Sequence, residues 1–264
     1  MIYINNEEKI KNISFEKDKF YVVADFDKTL TEGTSNSTWA VMANANQVGS
    51  EYKEKRTALY NKYRPIEIDQ TISEEEKCKA MDEWWKAHIN LFYEYGLKEE
   101  SIKNAILDGN LKYRDGSKEF LRKMNEMNIP VIIISAGIGN VIEEFLENED
   151  DVLPNIRIVS NFIEFENGTI KRIKGETIHA LNKNIVSLDN ASKKMLEGRE
   201  NILLLGDGLA DLKMISDKQK EHAVTVGFLE EKVEENLEYF NKEFDIVITN
   251  QGSLNDVNKI LKIY

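Results

Sequence analysis

Two aspartates, Asp25 and Asp27, stand two positions apart in the run Asp25-Phe26-Asp27-Lys28-Thr29-Leu30-Thr31. In an extended chain alternate side chains share a face, so both carboxylates leave on one side and Phe26 on the other. Paired acids of this kind suit Mg²⁺, which takes carboxylate oxygens and keeps most of its own waters. They also suit phosphoryl transfer, with one acid as nucleophile and its neighbour as proton donor. Ser135, followed by Ala136-Gly137-Ile138-Gly139, and the pair Asp207 and Asp211, in Gly206-Asp207-Gly208-Leu209-Ala210-Asp211, are the other polar groups placed for chemistry. Read separately, each could be loop polarity; Ser135 could simply cap a helix, and Asp211 could be a surface residue.

All three groups follow apolar runs. Phe20-Tyr21-Val22-Val23-Ala24, Val131-Ile132-Ile133-Ile134 and Ile202-Leu203-Leu204-Leu205 read as buried parallel strands. In an open α/β sheet the C-terminal ends of such strands line one crevice, which is where ligands bind. Residues 117–127 and about 140–148 read as helices, residues 156–160 as a short strand, and residues 162–173 as a hairpin turning at Asn167-Gly168. Further short strands are expected at 222–227 and 244–249. Strands alternating with helices predict a mainly parallel, Rossmann-like sheet. Residues 34–110 break this pattern. They are rich in Glu, Lys, Ala, Tyr and Trp, and residues 50–63, 73–95 and 98–108 carry helical spacing. The stretch is too long for a simple strand-to-helix connection. It predicts a helical domain inserted after the first core strand, with the core formed by residues 1–33 and 111–264.

Bulk properties narrow the function classes. The chain has 264 residues and a net charge of −12. That charge argues against binding a nucleic acid polymer, which requires basic patches. It is compatible with a small phosphate ester, because a divalent ion and one or two lysines can reverse the local field. The single cysteine, Cys78, excludes an intrachain disulfide framework. The first residues lack the charged-then-apolar pattern of a signal peptide, and no apolar stretch approaches the roughly 20 residues needed to cross a bilayer. A cytoplasmic protein with no membrane partner is expected. Oligomeric state is not legible, and a monomer is compatible with everything read so far.

The run at 25–31 resembles the first motif of the haloacid dehalogenase superfamily, Ser135 the second, Lys183 the third and the run at 206–211 the fourth. Longer stretches narrow the resemblance. They include Pro65-Ile66-Glu67-Ile68-Asp69, Glu83-Trp84-Trp85, Val159-Ser160-Asn161-Phe162, Lys174-Gly175-Glu176-Thr177-Ile178-His179 with Asn182-Lys183, and Phe244-Asp245-Ile246-Val247. Together they resemble the cytosolic 5′-nucleotidase III, or pyrimidine 5′-nucleotidase, family, from about Phe20 to the C-terminus.

The resemblance implies a Mg²⁺-dependent hydrolysis of nucleoside 5′-monophosphates, pyrimidine or 7-methylguanosine, with phosphate transfer to another acceptor as a side activity. Asp25 would be the nucleophile, Asp27 the general acid and base, and Lys183 the neutralising cation. Mg²⁺ would be held by Asp25, the main-chain carbonyl of Asp27, and Asp207, with Asp211 orienting that set from behind. Ser135 and the amide of Ala136 would hold phosphate oxygens, and Thr29 would orient the loop. The inserted helices would cap the site. Glu67 would contact the base, and Trp85 would stack on it; a methylated, cationic guanine gains from a Trp face. Adjacent helix positions point about 100° apart, so one of Trp84 and Trp85 is expected in the core and the other toward the cleft. His88 stands where a small residue is expected and could contact base or phosphate or fill space. Trp39 could add a second aromatic wall or pack internally. His179 is expected to be structural, because an all-oxygen metal set needs no imidazole. Two other readings compete: a phosphatase of the same superfamily acting on a non-nucleotide such as phosphoserine, and a non-catalytic nucleotide-binding protein. Glu67 and Trp85 oppose the first; intact Asp25, Asp27, Lys183 and Asp207 oppose the second.

Overall fold

In the computed structural model, residues 1–44, 49–69, 71–107, 110–183 and 188–264 are described. Among these residues, eight strands form one sheet. In chain order they are β1 (Ile2–Ile4), β2 (Phe20–Ala24), β3 (Val131–Ile138), β4 (Ile156–Glu166), β5 (Thr169–Lys174), β6 (Asn201–Gly206), β7 (Ala223–Leu229) and β8 (Ile246–Thr249). Their spatial order is β1-β8-β7-β6-β2-β3-β4-β5. The six inner strands pair in parallel, and the two edge strands run antiparallel to their neighbours.

The apolar runs are continuous because the inner strands are covered on both faces. Strand alternation divides them between two cores. Val22, Ala24, Ile133, Leu203 and Leu205 pack on one side, and Tyr21, Val23, Ile132, Ile134, Ile202 and Leu204 on the other. Helices α6 (Ser117–Glu126), α7 (Gly139–Asn148) and α11 (Leu254–Leu261) add Phe120, Leu121, Ile142, Phe145 and Val257 to the first core. Burying five such aliphatic or aromatic side chains contributes about 1.5–3 kcal/mol each before entropy is counted. β2 lies between β3 and β6, which are reached by connections running in opposite directions along the sheet. That is the topological switch point, and the chain leaving β2 is Asp25-Phe26-Asp27.

Among the described residues, four helices precede α6 in the connection from β2 to β3: α2 (Thr38–Asn44), α3 (Ser50–Ile68), α4 (Glu74–Glu94) and α5 (Glu99–Leu107). The two chain segments that lead to and from them meet at an antiparallel bridge between Thr31 and Tyr113. α2 and α5 do not form a core of their own. Val41, Met42, Ile102 and Ile106 pack into the same cluster as Phe145 and Ile142 of α7. Tyr63, Met81, Trp84 and Trp85, where α3 meets α4, form a separate buried cluster among the described residues.

The structure departs from the sequence reading in four places. β1 is an additional strand; three half-exposed residues offer too short a run to recognise. β4 runs unbroken through both the expected short strand and the first arm of the hairpin. Its turn is at Asn167 and Gly168, both with positive φ, as a tight hairpin turn requires. β3 continues past Ile134 to Ile138 through an irregularity in register. α3 continues through Pro65 instead of ending at 63. Pro65 lies in the last turn; it cannot donate to the carbonyl of Asn61, but its own carbonyl accepts from Asp69 N at 3.1 Å, so the helix loses one bond near its end.

Candidate active site

Asp25 is the residue after β2, and its amide still donates to Leu205 O of β6 at 3.0 Å. The chain then turns sharply. Phe26 O accepts from the amides of Thr29, Leu30 and Thr31, and Lys28 takes a left-handed φ of 61°. Thr31 Oγ1 closes the turn by accepting from Lys28 N at 2.8 Å. Phe26 points into the core, edge-on to Phe145 at 5.7 Å, so Asp25 and Asp27 share the other side as the strand period requires.

Asp25 is buried. One of its oxygens is paired with Lys183 Nζ and the other accepts from Thr29 Oγ1 at 3.4 Å. Lys183 Nζ also donates to Asp211 Oδ1 at 2.8 Å. Asp211 Oδ2 accepts from the amides of Asp207 and Gly208 at 3.0 and 2.9 Å. Gly206, the last residue of β6, lies against the Asp211 carboxylate so closely that a Cβ there would overlap it. Lys183 is thus enclosed by carboxylates. Burial opposes its charge, but Asp211 and Asp25 more than offset this and push its pKa up.

Asp27 is held by different partners. Thr38, at the start of α2, donates its amide and its hydroxyl to the two Asp27 oxygens, both at 3.0 Å. Thr38 Oγ1 also accepts from Ile138 N at 3.0 Å, which ties α2 to the end of β3. Burial raises the Asp27 carboxyl to about 6 despite the two Thr38 bonds. Burial likewise raises Asp25 to about 7, against the pull of Lys183 and with a further push from Asp211. Gly137 faces this junction: a Cβ there would collide with Thr38 Oγ1 and sit 3.1 Å from Asp27 Oδ2 and 3.0 Å from Ser135 Oγ. Close approach, not a tight turn, is what requires glycine at 137.

Asp25, Asp207 and Asp211 each place a carboxylate oxygen within 4.8 Å of the others. Asp207 is pushed well above its ordinary pKa by burial and by its Asp211 and Asp25 neighbours. One ammonium does not neutralise three such carboxylates, and a hard dication would relieve their repulsion. The all-oxygen donor set fits Mg²⁺ and does not favour Zn²⁺. Both Asp211 oxygens already accept hydrogen bonds, so Asp211 suits orienting the set better than ligating an ion.

The structure brings Asp25, Asp27, Ser135, Lys183, Asp207 and Asp211 to one end of the sheet. The cleft in front of them has a volume of about 690 Å³ and extends to Tyr60, Arg64 and Glu67 on α3. These three stand at positions i, i+4 and i+7, so the continuation of α3 through Pro65 puts them on one face. Arg64 Nη1 is paired with Glu67 Oε2.

Trp85 and His88 are placed elsewhere. Trp84 and Trp85 are both buried, 6% and 9% exposed, in the cluster between α3 and α4. The expectation that one would face the cleft does not hold, because the second tryptophan packs against a different neighbour. Trp85 lies edge-on to Trp39 at 5.8 Å, and its indole N–H donates to Ala136 O at 3.0 Å. Trp39 stacks on Phe92 at 5.7 Å and donates to the same carbonyl at 2.9 Å. Asn161 Nδ2 is a third donor, also at 2.9 Å. Trp39 therefore packs internally. His88 is held between Trp39 and Trp84 with Nε2 buried and unpartnered. Burial pushes its pKa down to about 4, with a contribution from Arg56. His179 is buried and accepts from Leu181 N at 3.2 Å, a structural role. Ser135 is buried, and its Oγ accepts from Gly137 N at 3.0 Å.

Sequence reasoning missed Thr38 and Arg114. Ser37-Thr38 ahead of an apolar run signals a helix start, but nothing local names Asp27 as the partner. Arg114 is buried and donates to Thr29 O and Gly252 O at 2.8 Å, to Lys28 O, and to Glu230 at 2.7 Å. It fastens the turn after β2 to the loops after β7 and β8. A lone arginine carries no sequence signal for this.

Comparison with known proteins agrees with the geometry. A family model described as pyrimidine 5′-nucleotidase (UMPH-1) matches residues 25–264. The 7-methylguanosine phosphate-specific 5′-nucleotidase A of Xenopus laevis is 36% identical over 254 residues, covering 93% of this chain and 88% of that protein. The 7-methylguanosine phosphate-specific 5′-nucleotidase of Homo sapiens is 36% identical over 253 residues, covering 93% and 84%. Among solved structures, cytosolic 5′-nucleotidase IIIB bound to cytidine superposes with a TM-score of 0.86 at 27% identity, covering 99% of this chain and 93% of that one. A phosphoserine phosphatase superposes with a TM-score of 0.59 at 18% identity, covering 91% and 97%, a likeness of fold alone. With its paired carboxylates at the switch point of a haloacid dehalogenase-like sheet, the chain belongs to the pyrimidine 5′-nucleotidase (UMPH-1) family and is a phosphoric monoester hydrolase of the 5′-nucleotidase type.

Proposed function

We propose that this enzyme hydrolyses pyrimidine or 7-methylguanosine 5′-monophosphates to nucleoside and phosphate, with Asp25 as nucleophile. The observation that carries this reading is the single cleft that joins Lys183 and Asp207 at one end to Glu67 at the other. Phosphate chemistry and a hydrogen-bonding group for a base share one cavity, of a size that suits a small-molecule ligand.

Asp25 attacks phosphorus as the carboxylate, and the bond to the 5′-oxygen breaks as the aspartyl-phosphate forms. Asp27 delivers a proton to the departing 5′-oxygen. Its raised pKa suits a group that must hold a proton near neutrality and give it up. The same carboxylate then takes a proton from the water that splits the aspartyl-phosphate, which regenerates Asp25 and releases phosphate. An acceptor alcohol in place of water would give phosphotransfer. Thr38 keeps Asp27 in register throughout. Lys183 holds Asp25 in place and offsets negative charge on the phosphate. Ser135 Oγ and the Ala136 amide would take phosphate oxygens. Asp25, Asp207 and the Asp27 carbonyl would hold Mg²⁺, whose positive charge would offset the repulsion of the anionic nucleophile and the anionic ester. Residues 34–110 act as the cap in this scheme, and Glu67 as its contact with the base. Trp85 and His88 then act behind the cleft wall, as packing, and not by touching the substrate.

No helix among the described residues is long and apolar enough to cross a membrane. A relative from Caenorhabditis elegans, 29% identical, is named a putative cytosolic 5′-nucleotidase 3. A cytoplasmic site of action follows from the reading by analogy with that name.

The test is phosphate release from CMP, UMP, 7-methyl-GMP, GMP, AMP and phosphoserine, with Mg²⁺ and with EDTA. Mg²⁺-dependent release from a pyrimidine or methylated nucleotide, well above phosphoserine, is expected. Release from phosphoserine alone would overturn the proposal.

A further inference from the structure

Thr38, the first residue of α2, is fully buried. Its amide donates to Asp27 Oδ1 and its hydroxyl to Asp27 Oδ2, both at 3.0 Å, while the hydroxyl oxygen accepts from Ile138 N at 3.0 Å. Chemistry fixes the direction of these bonds. A backbone N–H can only donate, so Ile138 takes a lone pair of the hydroxyl and not its proton. The Asp27 carboxylate is then the acceptor within reach of that proton. Thr38 thus presents two donors to Asp27, one to each oxygen.

This bracket decides where Asp27 can carry a proton. A proton on the Oδ2 lone pair that faces Thr38 would displace the hydroxyl proton and leave a buried donor unpaired, which is costly. The proton goes instead to a lone pair turned away from Thr38, on the side where Asp27 keeps part of its surface open. Once the proton is given up, the new carboxylate meets two donors already aimed at it, so little has to reorganise.

Thr38 is itself fixed from two sides. Val41 and Met42 of α2 pack with Ile142 and Phe145 of α7, which anchors α2 on the sheet. Ile138 ends β3 and immediately precedes α7. A Cβ on Gly137 would collide with Thr38 Oγ1, so the chain there approaches the hydroxyl as closely as glycine allows. Gly137 N in turn donates to Ser135 Oγ at 3.0 Å. One hydroxyl stands between the acid after β2 and the turn that follows Ser135, and it sets their separation.

We propose that Thr38 is a positioning residue for proton transfer, which turns the Asp27 carboxyl so that its proton-bearing lone pair faces the departing 5′-oxygen. As the phosphorus–oxygen bond breaks, its electron pair stays on the 5′-oxygen, which takes that proton. The Asp27 anion stays in the two Thr38 bonds, and the same lone pair later receives a proton from water. The inference rests on the reading above that Asp27 is the general acid and base.

The experiment measures the first chemical step alone, by rapid mixing of excess Mg²⁺-loaded enzyme with two substrates. One is CMP or 7-methyl-GMP, whichever the wild type turns over faster; its leaving alkoxide needs a proton. The other is 4-nitrophenyl phosphate, whose phenolate leaves without one. A ratio of the two rates within one preparation does not depend on the fraction of protein that is folded. Thr38→Val, which removes the hydroxyl at nearly constant volume, should lower the nucleotide rate about tenfold more than the aryl rate, a share of the roughly 10²–10⁴-fold that a placed general acid contributes. Thr38→Ala should do the same. Thr38→Ser, which keeps the hydroxyl, should hold the ratio close to wild type, and Asp27→Asn should move it at least as far as Thr38→Val. A ratio that Asp27→Asn moves and neither Thr38→Val nor Thr38→Ala moves overturns the role of Thr38 and leaves Asp27 as the acid. A Thr38→Ser ratio as low as that of Thr38→Val assigns the effect to side-chain shape and also overturns it. A ratio unmoved by Asp27→Asn would show that Asp27 is not the acid, which removes the reading beneath the inference as well.

Discussion

The two ends of the cleft are built in opposite ways. At the strand ends, Asp25, Asp27, Lys183 and Asp211 are held by two or more hydrogen bonds or ion pairs, several of them to backbone amides. At the α3 wall, Glu67 and Arg64 make one ion pair with each other, and Tyr60 stands open. Chemistry needs charges fixed at sub-ångström positions in a water-poor site, where electrostatic effects are large and reorganisation is small. Selection among bases needs only a difference in binding, which a few groups on an exchangeable helix face can supply. Losses at the first end should therefore be large and indifferent to the base. Losses at the second should be modest and should depend on it.

The strongest way to break this comparison is Asp25→Asn. It removes the proposed nucleophile and should lower kcat by at least about 10⁴-fold on every phosphate ester tested. A melting temperature close to wild type would show that the loss is chemical. Retained turnover would mean that another group attacks phosphorus.

Glu67→Ala probes the other end. It should lower kcat/KM for the preferred nucleotide by about 10²-fold while changing turnover of a simple aryl phosphate only a few-fold. Equal losses on both substrates would erase the division between the two ends.

His88 separates packing from substrate contact. Its folded pKa of about 4 lies below the ordinary 6.5. The unfolded chain therefore takes up a proton first as pH falls, and stability falls with it. The contribution is complete above pH 6.5 and is lost toward pH 4. This single group accounts for about 3 kcal/mol of that loss. Denaturant unfolding of wild type and His88→Phe across this window should show a shallower pH dependence in the variant. Parallel curves would mean that His88 is not buried as a neutral ring.

The smallest expected effect is that of Trp85→Phe. Ala136 O keeps its bonds from Trp39 and Asn161, so removing one donor should cost about 1 kcal/mol, read as a small fall in melting temperature. A much larger fall would show that the Trp85 ring supports the cleft wall as well as the carbonyl.

Much of the carboxylate cluster at the strand ends was legible in the sequence. Asp25 and Asp27 follow a strand whose period puts them on one side, and three apolar runs ending in polar groups imply one crevice. The motif resemblance supplied Lys183, which its bare sequence context does not distinguish from the chain's other lysines. The base end was less legible. Pro65 marks a helix end by local rules, yet α3 continues past it and thereby aligns Tyr60, Arg64 and Glu67. Trp85 and His88 carry the chemistry of ligand contacts, but whether an aromatic ring faces a cleft or a neighbouring helix depends on residues distant in the chain.

Local periodicity and motif spacing by themselves determined the parallel sheet, the helices inserted after β2 and the gathering of carboxylates at the strand ends, because strand and helix periods dictate which side chains share a face. Tertiary structure decided the rest. It placed Thr38 on Asp27, Arg114 beneath the turn after β2, two indoles on one carbonyl, and a counter-charge beside Glu67. Most of these contacts join segments far apart in sequence, and the Arg64–Glu67 pair matters only because packing turns that face of α3 toward the site. Their energies come from burial and hydrogen bonding that exist only once the chain is folded.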